Sequence, residues 1–249
     1  MKGTIVVGNQ KGGVTKTTTA LNLGAGLAKQ GEKVLCIDLD PQATLTIALG
    51  KEPEEMPNNI CRVLAGDMPM KKAIYEIREN LFLVPSDLEL AILEMQLISR
   101  TAREIILSKA IEGIKELFDY IIIDCPPQLS ILTINGLSAA DAVIVPVKTD
   151  YKSYKSIKNF LTTVEDIKGM VNPNLRVLGI LGTLHEKRNK EHTEVLEYIE
   201  EQYQVIGVIK KAADATKGDC DGMTVVEIKP NSEVAQQYNQ VIEYIKGVR

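Results

Sequence analysis

Gln10-Lys11-Gly12-Gly13-Val14-Thr15-Lys16-Thr17-Thr18 stands directly after the apolar run Thr4-Ile5-Val6-Val7, and a helix pattern follows it. Strand, glycine-bearing loop, Lys-Thr pair and helix, in that order, are the layout of a phosphate-binding loop. Gly12 and Gly13 let the backbone approach a phosphate, so that consecutive N–H groups point at its oxygens. The helix that follows adds the positive end of its dipole. Lys16 is placed to reach the β- and γ-phosphates of a nucleotide, and the Thr17 hydroxyl to ligand Mg²⁺. Lys11, five residues before Lys16, is a second cation that the ordinary motif lacks. The ordinary motif has glycine where Gln10 and Thr15 stand. If the second of these positions needs a positive φ, a β-branched Thr15 costs about 1–2 kcal/mol there.

Around this loop, 249 residues with 45% hydrophobic and 25% charged side chains suit one large α/β domain. Trp is absent and aromatics are few, so the core must be aliphatic. No apolar run reaches the length of a membrane span, and the first residues lack a signal-peptide stretch. Cys36, Cys61, Cys125 and Cys220 have no paired spacing and read as small core residues of a reduced, cytoplasmic protein. His185 and His192 are too isolated for a metal site. A formal charge of −4 argues against a globally basic nucleic-acid coat but leaves room for a local patch.

Strand-like runs alternate with helix-period segments along the whole chain. Strands are expected at Thr4–Val7, Lys33–Ile37, Leu81–Val84, Tyr120–Ile123, Ala142–Val147, Arg176–Leu181 and Val205–Ile209, with a weaker one at Thr224–Ile228. Helices are expected near Thr17–Lys29, Leu88–Ser99, Ala102–Leu117, Ser130–Ala139, Ser153–Lys168, His192–Tyr203 and Glu233–Lys246. Strands such as Tyr120-Ile-Ile-Ile123 are apolar on both faces, as when helices cover both sides of a parallel sheet. The expected fold is therefore a doubly wound, mostly parallel α/β sheet flanked by helices, a single P-loop ATPase domain over residues 1–249. No separate N-terminal helix-turn-helix domain is expected, and Gly50–Asn59, rich in Glu, Pro and Asn, is the expected mobile loop.

Such sheets bind ligands at the carboxyl ends of their strands. Two acidic segments should meet the phosphate loop there. Val34-Leu-Cys-Ile37 ends in Asp38-Leu-Asp40-Pro-Gln42, and Tyr120-Ile-Ile-Ile123 ends in Asp124-Cys-Pro-Pro127. An acid at the end of an apolar strand is expensive unless it meets a cation, and nucleotide-bound Mg²⁺ supplies one. Asp124 reads as a Walker B carboxylate acting on Mg²⁺ through water. Asp38 and Asp40 lie on one side of an extended chain, so one can serve the metal while the other orients or deprotonates the attacking water. Each Asp alone would equally suit an N-cap or a turn. Three of them at strand ends beside a phosphate loop point to chemistry instead.

The segments Lys11–Thr18, Asp38–Gln42 and Tyr120–Pro127 together resemble the ATP-site motifs of ParA-type, Soj-like partition ATPases. These belong to the deviant Walker A group, with MinD and the nitrogenase iron protein. Leu83-Val-Pro-Ser86, Asn135–Asp141 and Val145-Pro-Val147 fit the same pattern. The resemblance implies an ATPase with ATP and Mg²⁺ as cofactors, bound through Lys11, Gly12, Gly13, Val14, Thr15, Lys16, Thr17 and Thr18. It implies that Lys11 crosses a dimer interface to the partner's phosphates. Lys16 would serve as the loop lysine and Asp40 would activate the water. Thr17, Asp38 and Asp124 would surround the metal. It also implies slow ATP hydrolysis in an ATP-sandwiched homodimer that binds DNA non-specifically, stimulated by a ParB-type centromere-binding partner. The protein would then be cytoplasmic, nucleoid-associated when ATP-bound, and act in plasmid or chromosome segregation.

The chain departs from the family at Thr15, at Ala43-Thr44, and at Ile209–Asp214, where the family carries Ile-Pro-Arg-Asn and a further Arg. DNA contacts are therefore sought in the residues themselves. Lys152, Lys155 and Lys158 form one basic group, Lys187, Arg188 and Lys190 a second, and Lys210, Lys211 and Lys217 a third. Each reads equally as solvated surface. The alternative function is a MinD-like or other cargo-positioning ATPase acting on a membrane or protein surface. The Glu233–Arg249 tail has only Lys246 and Arg249 as cations, so its apolar stripe is expected to pack on the sheet and no stable membrane association is expected.

Overall fold

The computed structural model describes residues 2–212 and 222–248. Eight strands form one sheet: β1 (Gly3–Val7), β2 (Val34–Asp38), β3 (Tyr75–Arg78), β4 (Leu81–Val84), β5 (Tyr120–Asp124), β6 (Ala142–Lys148), β7 (Arg176–His185) and β8 (Val205–Lys210). Their order is β3-β4-β2-β5-β1-β6-β7-β8, and every pairing is parallel except that of β3 with β4. The helices are α1 (Lys16–Lys29), α2 (Thr44–Ala48), α3 (Ile60–Ala65), α4 (Glu89–Leu97), α5 (Ile106–Glu112), α6 (Ile131–Ala139), α7 (Tyr151–Met170), α8 (Lys190–Gln202), α9 (Val225–Ile228) and α10 (Glu233–Gly247).

The sheet is covered on both sides, which is why its central strands are apolar on both faces. All five residues of β2 and all five of β5 are buried. On one side α3, α4, α5, α6, α7 and α8 pack over Val6, Leu35, Ile37, Ile121 and Ile123. On the other, α1, α2, α9 and α10 pack over Ile5, Val7, Cys36, Tyr120 and Ile122. Helix α1 lies close to the sheet and to α10, because a Cβ at Gly24 would strike the Cys36 sulfur and one at Gly26 would strike Ile242. The C-terminal helix spends its apolar stripe on this core: Val234, Ala235, Tyr238, Val241, Ile242 and Ile245 are all buried.

Some expected elements differ. The segment Thr224–Ile228 is a short helix, not a strand, because Thr-Val-Val-Glu forms a capping box in which Glu227 Oε2 accepts from Thr224 N at 2.8 Å and from its hydroxyl at 2.9 Å. The helix expected over Ala102–Leu117 is broken into a tight turn at Arg103–Ile105, α5, and another tight turn at Lys115–Leu117. The β7 strand runs four residues past its expected end, to His185. Helices α2 and α3 and the antiparallel edge strand β3 have no counterpart in the sequence reading, being only four to six residues long. Within Gly50–Asn59 the chain makes a tight turn at Pro53–Glu55. The family departure at Asp214, together with Lys217 and Cys220, lies outside the described residues.

Candidate active site

The phosphate loop is held from both sides before it reaches its glycines. Gly8 N donates to Ile144 O at 3.1 Å, the Asn9 side chain donates to Pro146 O at 2.7 Å, and Lys11 N closes a turn on Asn9 Oδ1 at 3.0 Å. Thr183, on the β7 extension, donates its hydroxyl to Val14 O at 3.2 Å. Gly13 has φ 71° and Thr15, at the N-cap of α1, has φ 63° and ψ 34°. The motif position at Thr15 therefore does take the left-handed conformation that favours glycine. Its hydroxyl oxygen is buried without a partner.

Above the loop lies a cleft of about 380 Å³ lined by Gly12, Gly13, Thr15, Lys16, Thr17, Thr18, Asp40, Pro127 and Leu184. It brings together six of the eight loop residues named from the sequence with the expected catalytic Asp40, while Val14 is buried below the loop and Lys11 is not in the lining. Pro127 comes from the Asp124–Pro127 segment expected to meet the loop, and Leu184 is an addition that the sequence reading missed. Leu184 lies in the β7 extension with φ 51°, and Ala43 beyond the Asp40 loop has φ 52°. Thus two of the five non-glycine residues with positive φ among the described residues, Thr15 and Leu184, line this cleft, where strain of this kind tends to collect.

Lys16 is 7% exposed and curls back to donate to Lys11 O at 3.1 Å. Burial lowers its pKa, opposed by the nearby Asp124, Cys125 and Asp40. Asp124 is fully buried, and neither of its oxygens has a donor in hydrogen-bonding geometry. Burial, reinforced by Asp38, raises its pKa well above the ordinary carboxylate range, although Thr17 and Lys16 are close enough to pull the other way. Asp38 stands beside Asp124 in register on the neighbouring strand. Unlike Asp124 it is well satisfied: Oδ1 accepts Asp40 N at 3.0 Å, and Oδ2 accepts Thr46 N at 2.9 Å and the Thr46 hydroxyl at 2.8 Å. Burial still pushes its pKa up to about 6, against those hydrogen bonds. Asp38 thus fastens the Asp40 loop to the start of α2. Asp40 itself turns one oxygen to Gln42 N at 2.9 Å and faces the cleft.

Two buried carboxylates in register, one of them wholly unpartnered and beside a threonine hydroxyl, form a donor set that fits Mg²⁺. Thr17 and Asp124 would hold the ion, with Asp38 behind them.

Lys11 points away from this cleft. Its ammonium donates to Ser153 Oγ at 2.7 Å and pairs with Asp150 Oδ1 at 3.3 Å, at the first turn of α7. Asp150 is also paired with Lys148 at 2.9 Å and caps α7 through Ser153 N. Together these hydrogen bonds hold the Asp150 carboxyl well below its usual range, although burial opposes them.

A family model described as an AAA domain matches residues 2–177. The sporulation initiation inhibitor protein Soj of Bacillus subtilis is 35% identical over 238 residues, covering 94% of each chain. The chromosome partitioning protein ParA of Caulobacter vibrioides is 37% identical over 194 residues, covering 77% of this chain and 73% of its own. Among solved structures, cobyrinic acid a,c-diamide synthase from Mycobacterium smegmatis, with bound ATP analog and magnesium, superposes with a TM-score of 0.87. It is 35% identical and covers 98% of this chain and 93% of its own.

Proposed function

The chain belongs to the AAA-domain family of Soj- and ParA-type ATPases, and from that premise we propose that it is a DNA-partition ATPase working as an ATP-sandwiched dimer. It is an ATPase, and ATP with Mg²⁺ is what it uses. The observation that carries the reading is the buried Asp124 carboxylate behind Thr17, a residue that lines the cleft together with Asp40.

In this reading the backbone N–H groups of residues 12–18 cradle the phosphates. Lys16 leaves Lys11 O to pair with them. Thr17 and Asp124 would hold Mg²⁺, which would supply positive charge to the phosphates. Asp40 orients the attacking water and accepts its proton. Lys11 exchanges its contacts with Asp150 and Ser153 for the phosphates of the second protomer's nucleotide. A ParB-type partner speeds hydrolysis, and non-specific DNA is the surface the dimer occupies. The burial of the α10 stripe favours this over a membrane-lying tail, and among the described residues no helix is long and apolar enough to cross a membrane.

The test is filter binding of duplex DNA by Asp40→Ala, with ATP·Mg²⁺, with ADP and without nucleotide. Retention with ATP alone, equal for unrelated sequences, supports the proposal. No retention at low salt refutes it.

A further inference from the structure

The three basic groups are not equivalent in the folded protein. Lys210 is paired with Glu233 at 2.5 Å and Lys211 with Glu186 at 2.9 Å, while Lys187 reaches Glu233 at 4.0 Å. Lys210 and Lys211 are thus each answered by a carboxylate at close range, whereas Lys187, Arg188 and Lys190 stay exposed. Lys152, Lys155 and Lys158 are all exposed on α7, and no carboxylate pairs with any of them among the described residues. Lys155 lies 4.8 Å from the centre of the exposed Tyr151 ring.

Residues 151–164 contain no Asp or Glu, so the next acids on the helix, Glu165 and Asp166, begin about 10 Å beyond Lys158 at 1.5 Å per residue. The acids that touch the start of the helix are already engaged: Asp150 by Lys148 and Lys11, and Glu191 by Tyr151 N at 3.2 Å.

The same helix touches the nucleotide loop along one flank. Beyond the Lys11 contacts, Gln10 donates to Thr163 at 3.3 Å and Ser156 to Asn9 at 3.5 Å. At 100° per residue, Lys152 falls next to that flank, and Lys155 and Lys158 step outward from it. A residue expected to change partners with the nucleotide therefore sits on the turn that starts the basic face.

We propose that this face of α7, through Lys152, Lys155 and Lys158, is the surface that the ATP-bound protein lays on the phosphate backbone of duplex DNA. The inference rests on the DNA-partition reading above and names the site that performs it. Six residues of helix between the first and last lysine span about 9 Å, enough for two or three phosphates at about 3.4 Å per strand step. Lysine is a point charge on a flexible stem, so such contacts carry no sequence preference. A lipid surface suits the face less, because beside Tyr151 the outward positions are Lys152, Lys155, Lys158, Asn159 and Thr162, with no apolar wedge to bury.

The experiment uses Asp40→Ala with ATP·Mg²⁺ as parent and measures its affinity for two unrelated duplexes over a salt series. Adding Lys152→Ala, Lys155→Ala and Lys158→Ala should flatten the slope of log K against log[salt] by about 0.9 for each lysine in contact, alike for both duplexes. Lys155→Ala alone should remove about 0.9. Adding Lys210→Ala and Lys211→Ala instead should leave the slope at the parent value. ATP-dependent dimerisation of every variant, followed by light scattering, verifies that the fold and the nucleotide cleft persist.

The inference is overturned if the α7 variants keep the parent slope while the parent binds DNA, or if only the Lys210 and Lys211 changes lower it. It is equally overturned if the α7 changes abolish pelleting with phosphatidylserine vesicles while DNA binding stays intact. A parent that binds no DNA even at low salt refutes the DNA reading itself, which separates the two failures.

Discussion

Replacing Thr15 by glycine should make the nucleotide-free protein more stable, although the change removes side-chain atoms from a partly buried site. Thr15 sits at φ 63°, ψ 34°. That conformation costs an L-residue about 1–2 kcal/mol, and β-branching places Thr at the upper end. Its buried hydroxyl has no partner, a further cost of about 1–3 kcal/mol. Against these stand the freedom glycine adds to the unfolded chain, about 0.5–1 kcal/mol, and one lost methyl contact of about 0.8 kcal/mol. The expected balance is a gain of about 1–4 kcal/mol, at roughly 2–4 °C in melting temperature for each kcal/mol in a domain of this size. Urea unfolding without nucleotide is the assay, with Thr15→Ala as the diagnostic companion. Alanine removes the hydroxyl but keeps the strained Cβ, so its gain should be smaller. The reasoning is refuted if Thr15→Gly unfolds at or below the wild-type midpoint, or if Thr15→Ala matches it.

Lys16→Ala should abolish nucleotide binding, whereas Lys11→Ala, whose ammonium lies on α7 and not in the cleft, should still bind a fluorescent ATP analogue but fail to dimerise. Equal loss of binding in both would show that Lys11 is not an intermolecular ligand. Asp40→Ala should retain ATP while phosphate release slows by ~10²–10⁴-fold. Wild-type turnover would move the catalytic role to Asp38. With EDTA present, Asp124→Asn should be more stable than wild type at pH 8. The folded carboxyl of wild type has a raised pKa, so its contribution is favourable below the ordinary carboxylate range and is lost as pH climbs through the raised value. The gap between the two proteins should therefore close on acidification, and chemical unfolding at a series of pH values reads it. A gap independent of pH would mean that Asp124 is not held protonated.

The sheet and the cleft were legible because their signals are local. Apolar runs such as Tyr120–Ile123 mark buried parallel strands, and Lys16 with Thr17 after two glycines marks the phosphate loop. The same reading missed Leu184, because it placed the end of β7 at Leu181. The apolar run stops there, and the last four residues are carried by pairing with β6 and β8. It took Thr224–Ile228 for a strand on its β-branched content, where the Thr224–Glu227 capping box decides for a helix. Nor does spacing reveal that Lys210 and Lys211 are neutralised by Glu233 and Glu186 while Lys152, Lys155 and Lys158 stand unpaired. The partners of the first two come from segments more than twenty residues away in the chain.

The central claim is that ATP, and not ADP, joins two copies of this chain across their phosphate loops. Light scattering of Asp40→Ala with ATP·Mg²⁺ measures it directly. The account predicts a mass twice that of the 27.4 kDa chain with ATP, a single chain with ADP or without nucleotide, and a single chain with ATP once Lys11→Ala is added. A mass of one chain with ATP bound, or a dimer that forms equally with ADP, would contradict it.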